Sequence, residues 1–225
     1  MKIELVYVYP VGGHYDEYAY RFLESYRANP PGLEHSTTIV CNGGPMSGTM
    51  ECIFSGLPNC TFFNHDNSGY DIGAYQQVSR RVPCDMMVFF GSSAYLKRPG
   101  WMIPMAAAFE KYGPNCLYGS MGNQGNAACS VFPHIRTTGF WLSPALLNAY
   151  PFIINKPEYR YHFEHGQDCL TEWVKKRGGR NFVVGWSGEF EYPYWDSIPN
   201  GYHQGDQSAI LSGDRVSAPP YYYTP

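Results

Sequence analysis

A chain of 225 residues and 25.5 kDa is long enough for one domain with a substantial core. Its formal net charge is −3 and its 16 lysines and arginines are dispersed, so it lacks the basic surface that nucleic acids or anionic membranes require. No stretch approaches the roughly 20 apolar residues of a membrane span, and the opening MKIELVYVYP, with one lysine and a short apolar run ended by Pro10, is not a signal peptide.

Ile3 to Tyr9 is rich in β-branched and aromatic residues and reads as a first strand, closed by Pro-Val-Gly-Gly. Tyr15, Tyr18, Phe22 and Tyr26 keep helical spacing until Asn-Pro-Pro-Gly. Thr37 to Cys41 is a second strand ending in Asn42-Gly43-Gly44, and a loop with Pro45, Gly48, Gly56 and Pro58 leads to a third, Thr61 to Phe63. The rest of the chain is organised around Asn67 to Tyr75, NSGYDIGAY. Gly69 and Gly73 lack a Cβ, so the backbone there turns tightly and a ligand can approach, while Asp71 supplies an acid. Ile72, Tyr75, Val78 and Val82 predict a helix beginning just past Gly73, its free N–H groups aimed at whatever the loop holds, and stopped by Pro83. Asp85 to Phe90 then reads as a buried strand, followed by the turn Gly91-Ser92-Ser93.

In the second half, Trp101, Met105, Ala108 and Tyr112 are again helically spaced, whereas Asn115 to Val131 is glycine-rich and irregular. The apolar segment PHIRTTGFWLSPALLNAYP carries His134 and Arg136, with Ser143-Pro144 a helix start. YRYHFEHGQDCLTEWVKKRGG holds a polar cluster and a short helix through Leu170, Trp173 and Val174 that stops at glycine. Strand-like Phe182 to Trp186, then NGYHQGDQSAIL and a tail rich in proline and tyrosine, complete the chain. Strands alternating with helices predict an α/β fold with a mixed, mostly parallel central sheet and helices on both faces, in a single domain over 1–225. Ligands of such sheets sit at the carboxyl ends of the strands, where Tyr9, Asn42, Asn67 and Gly91 fall.

The 20 tyrosines offer flat apolar faces with a hydroxyl, suited to sugar rings and nucleobases as well as to an ordinary core. The seven cysteines are scattered without a CxxC pair, which argues against zinc and for a reducing, cytoplasmic setting; Cys52 and Cys60 would pair only in an oxidising one. His162 and His165 flank Glu164 as a polar patch rather than a metal site. Ser92 and Ser93 lack the G-x-S-x-G spacing of a hydrolase elbow, and Cys169 beside His165 is a poor thiol-enzyme pair.

NSGYDIGAY, VFFGSSAYLKRPGW, EHGQDCLTEWVKKRGG and NGYHQGDQS, in this order, resemble the motifs of glycosyltransferases of the GT-A (Rossmann-like) fold, closest to the branch related to rhamnan-synthesis and polysaccharide-building enzymes. The resemblance spans residues 3 to 215. It implies a hexosyltransferase-like enzyme of polysaccharide biosynthesis, moving a sugar from a nucleotide-sugar donor to a glycan or other hydroxyl acceptor with inversion. About residues 1–100 would bind the donor and about 101–225 the acceptor. Tyr9, Asn67, Gly69, Tyr70, Asp71, Gly73, Gly91, Ser92 and Ser93 would line the donor site. Asp168 would be the favoured base, with Glu164 four residues earlier as the other choice; the alternative role for Asp168 is to cap the helix that follows. The family's Asp-x-Asp turn, which binds Mn²⁺ or Mg²⁺, here reads Gly91-Ser92-Ser93, so the diphosphate charge would fall to Lys97, Arg98, Arg136 and His203 in a metal-independent reaction. The same departure suits a second reading, a non-catalytic carbohydrate- or nucleotide-sugar-binding domain. A more distant third is a glycoside hydrolase using two of Glu164, Asp168, Glu189 and Glu191.

Overall fold

Alternation along the first strand decides the architecture. Ile3, Leu5, Tyr7 and Tyr9 enter one buried cluster while Val6 and Val8 enter another, so the strand is covered on both faces. The computed structural model describes residues 1–126, 130–196, 207–215 and 217. In chain order the elements are β1 (Ile3–Pro10), α1 (Tyr15–Ala28), β2 (Ser36–Asn42), α2 (Gly48–Phe54), β3 (Cys60–His65), α3 (Tyr70–Ser79), β4 (Met86–Phe90), β5 (Tyr95–Leu96), α4 (Met102–Tyr112), β6 (Leu117–Gly119), β7 (Gly122–Asn123), β8 (His134–Ile135), β9 (Gly139–Leu142), α5 (Pro144–Asn148), α6 (Arg160–Glu164), α7 (Leu170–Lys176), β10 (Asn181–Gly185), β11 (Gly188–Glu191) and β12 (Ser212–Gly213).

Among the described residues the central sheet has eight strands, in the order β11-β10-β6-β9-β4-β1-β2-β3. Six run the same way, and β9 and β11 run against them. On one face α1, α2 and α4 contribute Phe22, Phe54 and Met105; on the other α3, α5, α6 and α7 contribute Tyr75, Leu147, Phe163 and Val174. The mixed, mostly parallel sheet with helices on both faces is the architecture expected from the strand–helix alternation. Because β4 pairs directly with β9, a single sheet runs through both halves of the chain.

Several local expectations need correction. The loop over 45–58 contains α2, which Ser47 caps by accepting from Met50 N at 3.3 Å, with Met50 and Phe54 one turn apart on its buried face. The glycine-rich stretch after Asn115 contributes β6 to the middle of the sheet, and the segment after His134 contributes β9. The helix of the organising stretch starts at Tyr70, not after Gly73, because Gly69 takes a left-handed φ of 71° and its carbonyl accepts from Gly73 N at 3.1 Å. Asp71 and Gly73 are therefore helical. Asp168 does not cap α7, whose N-cap is Cys169 without a side-chain bond. Among the described residues Cys41, Cys52, Cys60, Cys84, Cys116 and Cys169 are free thiols, so Cys52 and Cys60 are not paired. No helix among the described residues is long and apolar enough to cross a membrane.

Candidate active site

Two backbone events bring the site together at the carboxyl end of β4. Gly91 N donates to Thr138 O at 3.2 Å, so the turn after β4 abuts the segment that enters β9. Downstream, β12 pairs antiparallel with β5 and delivers Asp214 to the same place. Between them lies a cleft of about 240 Å³ lined by Ser93, His134, Arg136, Thr137, Thr138, Arg160, Glu164, His165, Asp214 and Arg215. This is where ligands of open α/β sheets bind. A broader depression of about 810 Å³, bordered by Lys2, His35, Ser36 and Asn59, lies at the opposite, amino ends of the strands.

Helix α6 is short, but Phe163 is buried against Phe140 and Tyr150, which fixes the faces of the helix. Arg160 and Glu164, one turn apart, then meet at 3.2 Å through both carboxylate oxygens. Thr137 Oγ1 donates to Glu164 Oε1 at 2.8 Å. Arg160 Nε lies 3.9 Å from Asp71 Oδ1, too far for a hydrogen bond, and has no hydrogen-bond partner among the described residues. Burial pushes the Asp71 carboxyl up to about 6, the Glu164 charge pushing the same way and Arg160 opposing.

The other wall is built on Asp214, whose side chain is 2% exposed. Its Oδ2 accepts from Arg136 Nη2 at 3.0 Å and from Thr138 Oγ1 at 2.6 Å, and its Oδ1 accepts from Ser217 N at 3.0 Å. Arg136 Nε is buried without a hydrogen-bond partner among the described residues. Arg215 is exposed and has no ion-pair partner among the described residues. His134 Nδ1 lies 2.7 Å from Phe132 O, which fixes the proton on Nδ1 and leaves Nε2 as an acceptor. Burial pulls His134 down to about 4, with the nearby His165 and Arg136 adding to it, so the ring is neutral near pH 7.

The cleft thus unites Glu164, Arg136 and Ser93 from the sequence expectations, with Asp71 just behind Arg160. Ser93 carries a structural contact as well, its carbonyl accepting from Arg21 Nη2 while the Ser92 carbonyl accepts from Tyr7 Oη at 2.6 Å. The structure does not bring Asp168 there: its carboxylate is 53% exposed and pairs with Lys176 at 2.7 Å. Tyr9 donates its hydroxyl to Asp16. Lys97 Nζ and Arg98 Nη2 donate to the carbonyls of Gln207 and Ser208 at 3.2 and 3.3 Å, outside the cleft lining. Asn67, φ 67°, donates its N–H to His65 Nδ1 at 3.1 Å. Tyr70 is half-exposed with Arg160 against its ring. Gly91 lies in the turn itself. His203 lies outside the described residues.

The two glycines of NSGYDIGAY have a partner within the chain. A Cβ on Gly69 would stand 2.0 Å from Ile154 O, and one on Gly73 would stand 1.9 Å from Ser68 O and 2.8 Å from Ile154 O. The backbone that approaches them closely is the segment around Ile154, which Gln76 grips at Phe152 O and Ile154 N, 2.8 and 2.9 Å away.

Arg160, Thr137, Thr138 and Asp214 were not anticipated. For Arg160 a signal existed, since an arginine four residues before Glu164 is the spacing of a helical ion pair. For Asp214 none did, because its place depends on a two-residue strand.

No three His, Cys, Asp or Glu side chains among the described residues converge to hold a metal ion. A substrate-bridged Mn²⁺ or Mg²⁺ would need a carboxylate free of guanidinium, and Glu164 and Asp214 each hold one, so the described cleft residues do not fit such an ion.

No protein-family model matches the chain, and no curated protein matches it in sequence. Among solved structures, TarS residues 1–349 from S. aureus, in complex with UDP-GlcNAc, is 16% identical with a TM-score of 0.46, over 65% of this chain and 46% of that one. Mouse xyloside xylosyltransferase 1 is 10% identical with a TM-score of 0.49, over 79% and 82%. A putative glucose-1-phosphate thymidylyltransferase from Bacillus anthracis, in complex with a sucrose, is 14% identical with a TM-score of 0.47, over 81% and 87%. The chain spans less than half the length of the TarS structure. Glycosyl- and nucleotidyltransferases stand about equally near, so these similarities do not distinguish an activity.

Proposed function

We propose that the chain is a glycosyltransferase that moves a sugar from a nucleotide-sugar donor to a hydroxyl of a carbohydrate acceptor, with inversion and without a bound metal. The observation that carries this reading is the placement of Glu164 in a cleft that also holds Arg136, Arg160 and Arg215, at the carboxyl end of β4. Inverting transfer needs a carboxylate to take the acceptor's proton and fixed positive charge to meet the departing diphosphate. Glu164 takes the first role: as the acceptor oxygen bonds to the anomeric carbon and the bond to the diphosphate breaks, its carboxylate receives the hydroxyl proton. Arg136, whose Nε has no partner among the described residues, and Arg215 take the second. His134, neutral with Nε2 as an acceptor, orients a hydroxyl rather than neutralising phosphate. The motif order of the sequence supports a transferase, although it favours Asp168 over Glu164 as the base.

The test is a thermal-shift panel of UDP, GDP, dTDP and CMP with and without Mn²⁺. A nucleotide at about a hundred times its Kd adds roughly 2.7 kcal/mol, about 5 to 10 °C for a chain of this size. A rise with one nucleotide alone is expected; a rise only with Mn²⁺ would contradict metal independence, and no rise would remove the donor site. One observation favours the non-catalytic reading: Arg160 engages both oxygens of Glu164, a geometry that suits holding a ligand. A nucleotide shift without sugar transfer to any acceptor would select it.

A further inference from the structure

We propose that Tyr70 and Tyr161, at the rim of the cleft, stack on the rings of a carbohydrate acceptor at least two sugar units long. As to the acceptor role, this rests on the transferase reading above; the binding itself does not. Tyr70 has a φ of 55°, a left-handed conformation that suits glycine or asparagine and is an outlier for a bulky aromatic. At 39% exposure its ring adds little to the core, so the strain has no return inside the fold. What the ring does touch is the site: the Arg160 guanidinium lies 5.5 Å from its centroid, and Arg160 lines the cleft.

Tyr161 repeats the arrangement. It is 36% exposed, its ring meets that of His165 edge-on at 4.7 Å, and His165 also lines the cleft. Its hydroxyl donates to Ser130 O, which fixes the ring. Aromatic faces beside a cleft suit the apolar C–H faces of pyranose rings, and two of them suit an acceptor of more than one unit. Within the cleft, the Glu164 carboxylate and His134 Nε2 are hydrogen-bond acceptors for sugar hydroxyls. A bilayer would call instead on the purely apolar pair Phe152 and Ile153, the latter 62% exposed, and would have no use for those acceptors.

The probe is an array of immobilised neutral mono- to hexasaccharides, read with the labelled full chain. Expected is binding to glycans of two or more units, weakened about tenfold or more in Tyr70→Gly and in Tyr161→Ala. The Tm of Tyr70→Gly should equal or exceed that of the parent, because glycine relieves the positive φ. The proposal is overturned if no glycan binds, if both variants bind like the parent, or if binding falls only as Tm falls. It is equally overturned if the chain binds phosphatidylcholine–phosphatidylglycerol vesicles, loses that in Phe152→Ser/Ile153→Ser, and ignores the array. Glycan binding without any nucleotide shift would remove the transferase reading and leave the stacking faces standing.

Discussion

Replacing Gly73 by alanine separates two accounts of NSGYDIGAY. In an open helical site the change stabilises by about 1 kcal/mol. At 73 the new Cβ would stand 1.9 Å from Ser68 O and 2.8 Å from Ile154 O, and both are backbone atoms. Relief would require moving either the entry of α3 or the segment that Gln76 holds at both Phe152 O and Ile154 N. Overpacking costs about 1–3 kcal/mol, and more where backbone must move, so we take a cost of about 3 and a net loss of about 2 kcal/mol. For a chain of this length that lowers Tm by about 4–8 °C. Gly48→Ala is the control: it lies in α2 with nothing among the described residues within 4 Å of its Cβ, and should raise Tm by about 1–3 °C. Both are read by differential scanning fluorimetry and circular dichroism at pH 7.5. If Gly73→Ala melted at or above the parent yet lost its nucleotide shift, the glycine would be keeping room for a ligand and the packing account would be refuted.

Glu164→Gln should lower sugar transfer by about 10²–10⁴-fold in a radiolabelled-donor assay while shifting the donor KM by less than about threefold; near-normal turnover would remove it as the base. Asp214→Asn leaves the Arg136 guanidinium uncompensated in a buried setting and should cost about 3 kcal/mol, roughly 6–12 °C; a drop below about 2 °C would show that the pair is not structural. For Asp71 the folded value of about 6 lies above the ordinary 3.8, so the folded state favours the protonated acid and stability falls as pH rises through that window. Asp71→Asn should therefore stabilise by about 1–2 kcal/mol at pH 7.5 and by about 0.5 kcal/mol or less near pH 4, as urea unfolding at the two pH values would show.

The frame of the molecule was legible because its strands are short β-branched or aromatic runs bounded by Pro, Gly and Asn, as in Ile3 to Tyr9 and Asp85 to Phe90. The start of α3 was placed a turn late because glycine reads as loop, whereas Gly73 sits within the helix where a second segment crosses it. β6 and β9 escaped notice for a different reason. Residues 117–119 and 139–142 are too short to show periodicity, and nothing local tells a strand to run against its neighbours. Arg136 could be singled out as a charge in an otherwise apolar segment, and Glu164 only through the resemblance, as the second choice to Asp168. Asp214 could not, since its role comes from β12 meeting β5 across more than a hundred residues.

The position of β9 also bears on the order in which the chain can be made. When β4 leaves the ribosome, β3, β2 and β1 are already available to pair on one side, but the strand that covers its other side begins at Gly139, 49 residues after Phe90. At a synthesis rate of about 5–20 residues per second that edge stays open for roughly 2–10 s. The exposed row belongs to Met86-Met87-Val88-Phe89-Phe90, a short uncharged apolar run of the kind that pairs with other chains. Released chains truncated between residues 95 and 138 should therefore be the aggregation-prone species, and those that extend past Leu142 should be less so.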